Sequence, residues 1–210
     1  ESGSALIIHL GMSGSLQLTE PDTPLETHDH LVWRFGSARR LELRYRDHRR
    51  FGCVLWTPTD PLQHPLLIHL GPEPLGNAFS GLALFERARG RRATVKAFIM
   101  DGRTVAGVGN IYANEALFRA GIHPSRQAGR ISGARYDVLA HHVRAVLTES
   151  IERGGTTLRD YVSSAGARGD FVDHLDVYGR AGQPCRRCGS PLRERVIAQR
   201  ATVFCITCQR

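Results

Sequence analysis

The stretch Cys185-Arg-Arg-Cys188-Gly-Ser-Pro-Leu-Arg-Glu-Arg-Val-Ile-Ala-Gln-Arg200-Ala-Thr-Val-Phe-Cys205-Ile-Thr-Cys208 decides how the rest of the chain is read. It holds two C-x-x-C knuckles separated by sixteen residues. Zn²⁺ takes thiolates in a tetrahedron, and each knuckle turns two of them toward one point. The spacing predicts one structural zinc held by Cys185, Cys188, Cys205 and Cys208. Two disulfides or a redox C-x-x-C are the competing readings. The secretory leader or βαβ pattern that would favour them is not visible. So short a segment has little apolar area of its own, and metal binding then supplies folding energy. Between the knuckles, Arg195 to Phe204 reads as a β-hairpin with Arg200 near its tip.

This hairpin is positively charged. Between Arg180 and Arg210 lie seven arginines and one acid, Glu194, which is +6 of the chain's +8. Four thiolates and a Zn²⁺ would reduce that to about +4. Of the 28 basic residues 27 are arginine, and Lys96 is the lone lysine. The planar guanidinium donates in pairs and suits phosphate oxygens. Such a segment predicts a polyanion partner, most simply nucleic acid. On charge alone a solvated basic tail competes with it. With 210 residues, 41% of them hydrophobic, there is room for two domains, or one domain and the zinc module. No apolar run approaches the length of a membrane span. The fifth cysteine, Cys53, reads as a small buried strand residue.

Working back from the hairpin, the first sixty residues predict antiparallel strands at Ala5–Leu10, Leu16–Leu18, His30–Phe35, Arg40–Tyr45 and Gly52–Trp56. The third and fourth should form a hairpin around Gly36-Ser37. Residues Thr57 to Asn77, rich in Pro, Gly and His, read as a wandering connection. Helices are predicted at Leu82–Arg89, Thr94–Met100 and Asn110–Ala120, the last with Ile111, Leu117 and Phe118 on one face. A longer helix follows Ser132 and stops at Gly154-Gly155. Ser163 to Gly169 offers almost no side chain to pack and reads as a mobile loop. Sheet, helices and a zinc hairpin make an α+β chain.

Three smaller motifs carry chemistry. Gly107-Val-Gly-Asn110 runs into a helix, where free N–H groups and the Asn110 amide suit an anion; an ordinary N-capped turn is the alternative. Asp47-His-Arg-Arg-Phe51 sits between strands. There an arginine beside an exposed ring suits a DNA wedge, although Phe51 could equally enter the core. Met12, in a glycine-rich turn, carries the same two readings.

Taken in order, the segments His9-Leu-Gly-Met-Ser-Gly-Ser-Leu16, His28-Asp-His30, Arg49-Arg-Phe-Gly52, Leu70-Gly-Pro-Glu-Pro-Leu75, Gly107-Val-Gly-Asn-Ile-Tyr-Ala113, Gly121-Ile-His-Pro124, Gly154-Gly-Thr-Thr157 and Val177-Tyr-Gly-Arg180 lead into the four-cysteine hairpin. This series resembles the bacterial formamidopyrimidine-DNA glycosylase (Fpg) family across essentially the whole chain. Endonuclease VIII relatives share the helical and zinc parts, but the first and third segments look like Fpg. The resemblance implies residues 1–62 as the remainder of an antiparallel β-sandwich. It implies 63–176 as a helix-two-turn-helix domain with a lesion-capping loop at 163–169, and 177–210 as a zinc finger. It further implies a DNA glycosylase/AP lyase that flips out and removes oxidised purines, then cleaves the abasic strand. Met12, Arg49 and Phe51 would fill the vacated space, with Arg49 facing the orphaned cytosine. Asn110 and Arg200 would grip the flanking phosphates. His9, His28, Arg92, Lys96 and Tyr178 would be further backbone contacts, and Arg200 would also serve strand elimination. The partner would be damaged or abasic double-stranded DNA, bound by a monomer in the bacterial cytoplasm at the nucleoid.

The chain also departs from the family pattern. The nucleophile there is an N-terminal proline, followed by a glutamate and supported by a lysine of the first sheet, and none of these is in this sequence. The expectation is therefore an N-terminally incomplete enzyme, inactive as written. Its only amines are Lys96 and the Glu1 α-amine, and neither stands at a matching position. A non-catalytic zinc-containing binder of damaged or abasic DNA is the alternative. A zinc ribbon of translation or transcription is weaker, because it leaves Met12, Arg49 and Phe51 unexplained.

Overall fold

The structure is a computed structural model, and it describes residues 3–36, 41–156 and 170–210. Two compact units divide the chain, Glu1–Ile68 with Ser150–Asp173 and His69–Glu149 with His174–Arg210.

The first unit is built from β1 (Ala5–His9), β2 (Ser15–Thr19), β3 (Asp29–Phe35), β4 (Leu41–Arg46) and β5 (Cys53–Thr57). They form two antiparallel sheets, β1–β5 and β2–β4–β3. The expected hairpin is present, with Trp33 opposite Leu43 and Phe35 opposite Leu41. Its turn residues Ser37 to Arg40 lie outside the described residues. Cys53 is only half-buried, and among the described residues β5 pairs with β1 alone.

The central strand β4 alternates as a pleat requires, with Leu41, Leu43 and Tyr45 on one face and Glu42, Arg44 and Arg46 on the other. The second face is ionic. Buried Arg44 donates to Glu42 Oε2 at 2.9 Å and to the carbonyls of Thr23 and Pro24 at 2.6 and 2.9 Å. Arg46 Nε donates to Asp29 Oδ1 at 2.7 Å, so the 20–29 connection is strapped across the sheet by charge. With every partner in place the array is tolerable; removing one leaves a buried charge at a cost of about 3–5 kcal/mol.

The second unit has an apolar core. Its helices are α1 (Gly81–Ala88), α2 (Val95–Met100), α3 (Asn110–Arg119) and most of α4 (Gly133–Glu152). Ser80 Oγ and Thr94 Oγ1 cap α1 and α2 by accepting from Ala83 and Ala97 N–H. Gly81 is demanded by packing, since a Cβ there would fall 2.4 Å from Asp137 Cα in α4. Leu84, Phe98, Ile99, Leu117, Tyr136 and Leu139 fill the centre. α3 differs from the one-faced helix expected, because Ala113 to Phe118 are all buried. The zinc module covers the side that sequence leaves polar.

That module is β6 (Arg193–Ile197) paired with β7 (Arg200–Phe204), with Ile197 opposite Arg200. Ala198 and Gln199 both have positive φ, +50° and +59°, the backbone of a two-residue hairpin turn. Arg200 is thus the first strand residue after the tip.

Candidate functional site

In the first unit, two loops meet. The turn from Leu10 to Ser15 approaches the loop from Asp47 to Gly52 so closely that a Cβ on Gly11 would lie 2.7 Å from the Phe51 carbonyl carbon. Gly11 also has φ +64°, which only glycine adopts freely. The junction is organised by buried Asp47. Its carboxylate accepts from Ser13 Oγ at 2.5 Å, Gly52 N–H at 2.9 Å, Tyr45 Oη at 3.1 Å and Arg49 N–H at 3.3 Å. Burial opposes the charge, but these donors outweigh it and hold the carboxyl far below its ordinary value.

The exposed face of this junction carries the three wedge candidates together. Arg49 Cζ lies 4.6 Å from the Phe51 ring centroid, and Arg49 Nη1 lies 3.6 Å from Met12 Sδ. Phe51 is 57% and Met12 67% exposed, so neither is a core residue. A sulfur, a guanidinium and a ring form one protruding, already stacked group. His28 borders it: its carbonyl accepts from Asp47 N–H at 3.2 Å, and its ring lies 6.1 Å from those of His30 and His48. His9, opposite Cys53, is exposed at the end of β1.

In the second unit, Asn110 begins α3 after Gly109, which has no capping side chain. Asn110 Nδ2 donates to Ala201 O at 3.1 Å, which sets the helix start beside the hairpin. Lys96 Nζ donates to Ala201 O at 3.0 Å and Thr202 Oγ1 at 2.6 Å. Burial, and then the nearby Arg200 charge, lowers the Lys96 amine to about 8. The side chain is fully buried, and its amine, expected at a phosphate, here holds the strand that follows Arg200. An amine held this way is not placed to attack a sugar either. Arg200 itself is exposed, as is Arg92 ahead of α2. Tyr178 is half-buried and tied through its N–H to Glu115 Oε1 at 2.8 Å. The 163–169 segment and Glu1 lie outside the described residues.

Several supporting residues gave little sequence signal. Glu115, buried in α3, receives the N–H groups of Asp176, Val177 and Tyr178 at 2.7, 3.0 and 2.8 Å. Neighbouring Asn114 accepts from Val203 N–H at 2.9 Å. Both looked like ordinary polar positions of an amphipathic helix. The one cue was their adjacency, since consecutive polar residues cannot both belong to a narrow solvent face.

The four cysteine sulfurs lie within 4.8 Å of one another, with Cys185–Cys208 at 4.0 Å and Cys188–Cys205 at 3.5 Å. Those separations are far too long for a disulfide near 2.05 Å. They match the edge of about 3.8 Å that a tetrahedron with 2.3 Å zinc–sulfur bonds has. Thiolate donors alone suit zinc.

Three family profiles match in chain order. They are the formamidopyrimidine-DNA glycosylase N-terminal domain over residues 1–54, the formamidopyrimidine-DNA glycosylase H2TH domain over 70–162, and the zinc finger found in FPG and IleRS over 182–210. The chain is 60% identical over 205 residues to the formamidopyrimidine-DNA glycosylase of Methylococcus capsulatus, covering 98% of this chain and 75% of that one. It is 57% identical to that of Syntrophotalea carbinolica at the same coverage. Among solved structures, Thermus thermophilus MutM (Fpg) superimposes with a TM-score of 0.86 at 40% identity, covering 100% of this chain and 77% of that one. The complex of Lactococcus lactis Fpg with abasic-site DNA gives 0.87 at 34% identity, covering 99% and 75%.

Proposed function

Because the chain belongs to the formamidopyrimidine-DNA glycosylase family, we propose that it serves oxidised-purine base-excision repair with the labour divided between its two units. The family is one of DNA glycosylases, and one structural zinc completes the finger at Cys185, Cys188, Cys205 and Cys208. Its partner is double-stranded DNA carrying a damaged or abasic nucleotide. No described helix is long and apolar enough to cross a membrane, and in this reading the protein works in the cytoplasm at the nucleoid.

In the first unit, Met12, Arg49 and Phe51 enter the duplex where the lesion leaves it. The observation that carries this is their mutual stacking while exposed, on loops fixed from beneath by Asp47. Extrusion of a nucleotide costs a few kcal/mol, and a preformed wedge offsets it without further ordering of the loop. Arg49 turns its fork to the base left behind, while His9 and His28 lie along the backbone beside it. In the second unit, Asn110 and Arg200 take phosphates, Lys96 backs the strand that carries Arg200, and Arg92 and Tyr178 extend the grip. Arg200 also assists strand elimination. No observation favours the non-catalytic binder over this reading.

Equilibrium binding to abasic-analogue duplexes tests the division. Arg200→Ala should weaken every duplex and reduce the salt slope by about one unit. Arg49→Ala should keep most affinity but lose roughly tenfold in preference for cytosine opposite the lesion. Indistinguishable behaviour of the two variants would defeat the assignment.

A further inference from the structure

The loop 122–126, after α3, borders an open depression of about 310 Å³ lined by His123, Ser125, Arg126, Gln209 and Arg210. Its frame is rigid. His123 N–H donates to Arg210 O at 3.3 Å, Arg210 N–H to Gly121 O at 3.0 Å, and Gln209 Nε2 to Ile122 O at 2.9 Å. The imidazole of His123 packs edge-on against Phe204 with centroids 4.6 Å apart. Its Nδ1 accepts from Ser125 N–H at 3.2 Å, leaving Nε2 as the ring's donor.

Two features of this frame lack a partner. Positive charge crowds it: after burial, Arg195 and then Arg126 disfavour protonation of His123, and after burial Arg126 disfavours that of Arg135. The Ser125 hydroxyl, in the wall, is out of water and hydrogen-bonded to nothing. Such an orphan costs roughly 1–3 kcal/mol. An oxyanion would relieve both, since it neutralises guanidinium and accepts from a hydroxyl.

We propose that this depression binds a phosphate group, with Arg126 and Arg210 as its cationic partners and Ser125 Oγ and His123 Nε2 as neutral donors. Its source is a phosphodiester of the bound duplex beyond those flanking the lesion, an assignment that rests on the DNA-binding reading above. The hairpin supplies the spacing. From Arg200 to Phe204, where His123 packs, β7 rises about 13 Å. Laid along the duplex axis, where one DNA strand advances roughly 3.4 Å per nucleotide, that length corresponds to about four steps from the phosphate held at the tip.

The test uses the full chain with its zinc and two abasic-analogue duplexes, each carrying neutral methylphosphonates about four steps to one side of the lesion. Wild-type protein should lose about one unit of salt slope on one of the two. Arg126→Gln should show that reduced slope on ordinary DNA and lose nothing further on the neutralised duplex. Ser125→Ala should bind more weakly than wild type with the slope unchanged. A parallel titration with inorganic phosphate follows the His123 ring by NMR. If the neutral linkages and Arg126→Gln act additively, or not at all, while phosphate still saturates His123, the duplex assignment is overturned in favour of a free-phosphate pocket. If neither responds, the site is refuted. Arg200→Ala, run alongside, keeps failure here distinct from failure of the DNA-binding reading.

Discussion

Asp47 shows how much a single buried acceptor organises. Four donors converge on it, three from the two loops and Tyr45 Oη from β4, and two of them are backbone N–H groups of the loop that carries Arg49 and Phe51. Asp47→Asn keeps the shape but turns one oxygen into a donor facing donors, which should cost about 1–3 kcal/mol locally. The expected result is a variant that binds zinc and duplex DNA but has lost Arg49's preference for the opposite base. Unchanged discrimination would show the hub to be dispensable. Lys96 offers a second test, because its amine is lowered to about 8 in the folded state. A folded value below the unfolded one means the charged amine burdens the native state at neutral pH. Stability should then rise between pH 8 and about 10.5, by up to about 1.4 kcal/mol per unit. Thermal unfolding of wild type against Lys96→Met should reveal this rise in wild type only; parallel curves would contradict it.

At the scale of elements, the zinc hairpin and α3 are a single structure. Phe118 shares a buried cluster with Val177, Cys185, Leu192, Val203 and Cys205, while Asn114 and Glu115 hold β7 and the 176–178 turn. Chelation should therefore lower the melting temperature as well as weaken DNA binding, with the Arg200 share of the salt slope lost. Elemental analysis should give one zinc per chain, and a zinc-free protein with full affinity would break the link. The hairpin and the knuckles were legible in the sequence because both are short-range patterns, a pleat and a spacing. The stacked wedge was legible only as residue types, since either core or surface suited Met12 and Phe51. The inward position of Lys96 was not legible for the same reason. Its partners lie more than a hundred residues away, and no period along α2 announces that its one charged residue faces inward.

Over the whole molecule, the two units are held by different forces. The first keeps its carboxylates ionised: Asp29, Glu42 and Asp47 are each lowered by guanidinium, hydroxyl or backbone donors despite burial. Groups lowered in this way stabilise above their ordinary values and cease to as pH falls through the folded ones. Both tryptophans, Trp33 and Trp56, lie in that unit and report on it alone. Acid should thus act in two events: zinc release as the thiolates protonate, followed by a tryptophan emission change below about pH 4. A single coincident transition would count against separate foundations. The charge inventory carries a last consequence. The one lysine of these 210 residues is sealed in the interior, so every permanently charged cationic side chain on their surface is a guanidinium. Acetyl transfer and other acylating reagents aimed at lysine ammonium groups find no surface target among these residues, and the grip of Arg200 and its neighbours on polyanions is beyond the reach of lysine acetylation.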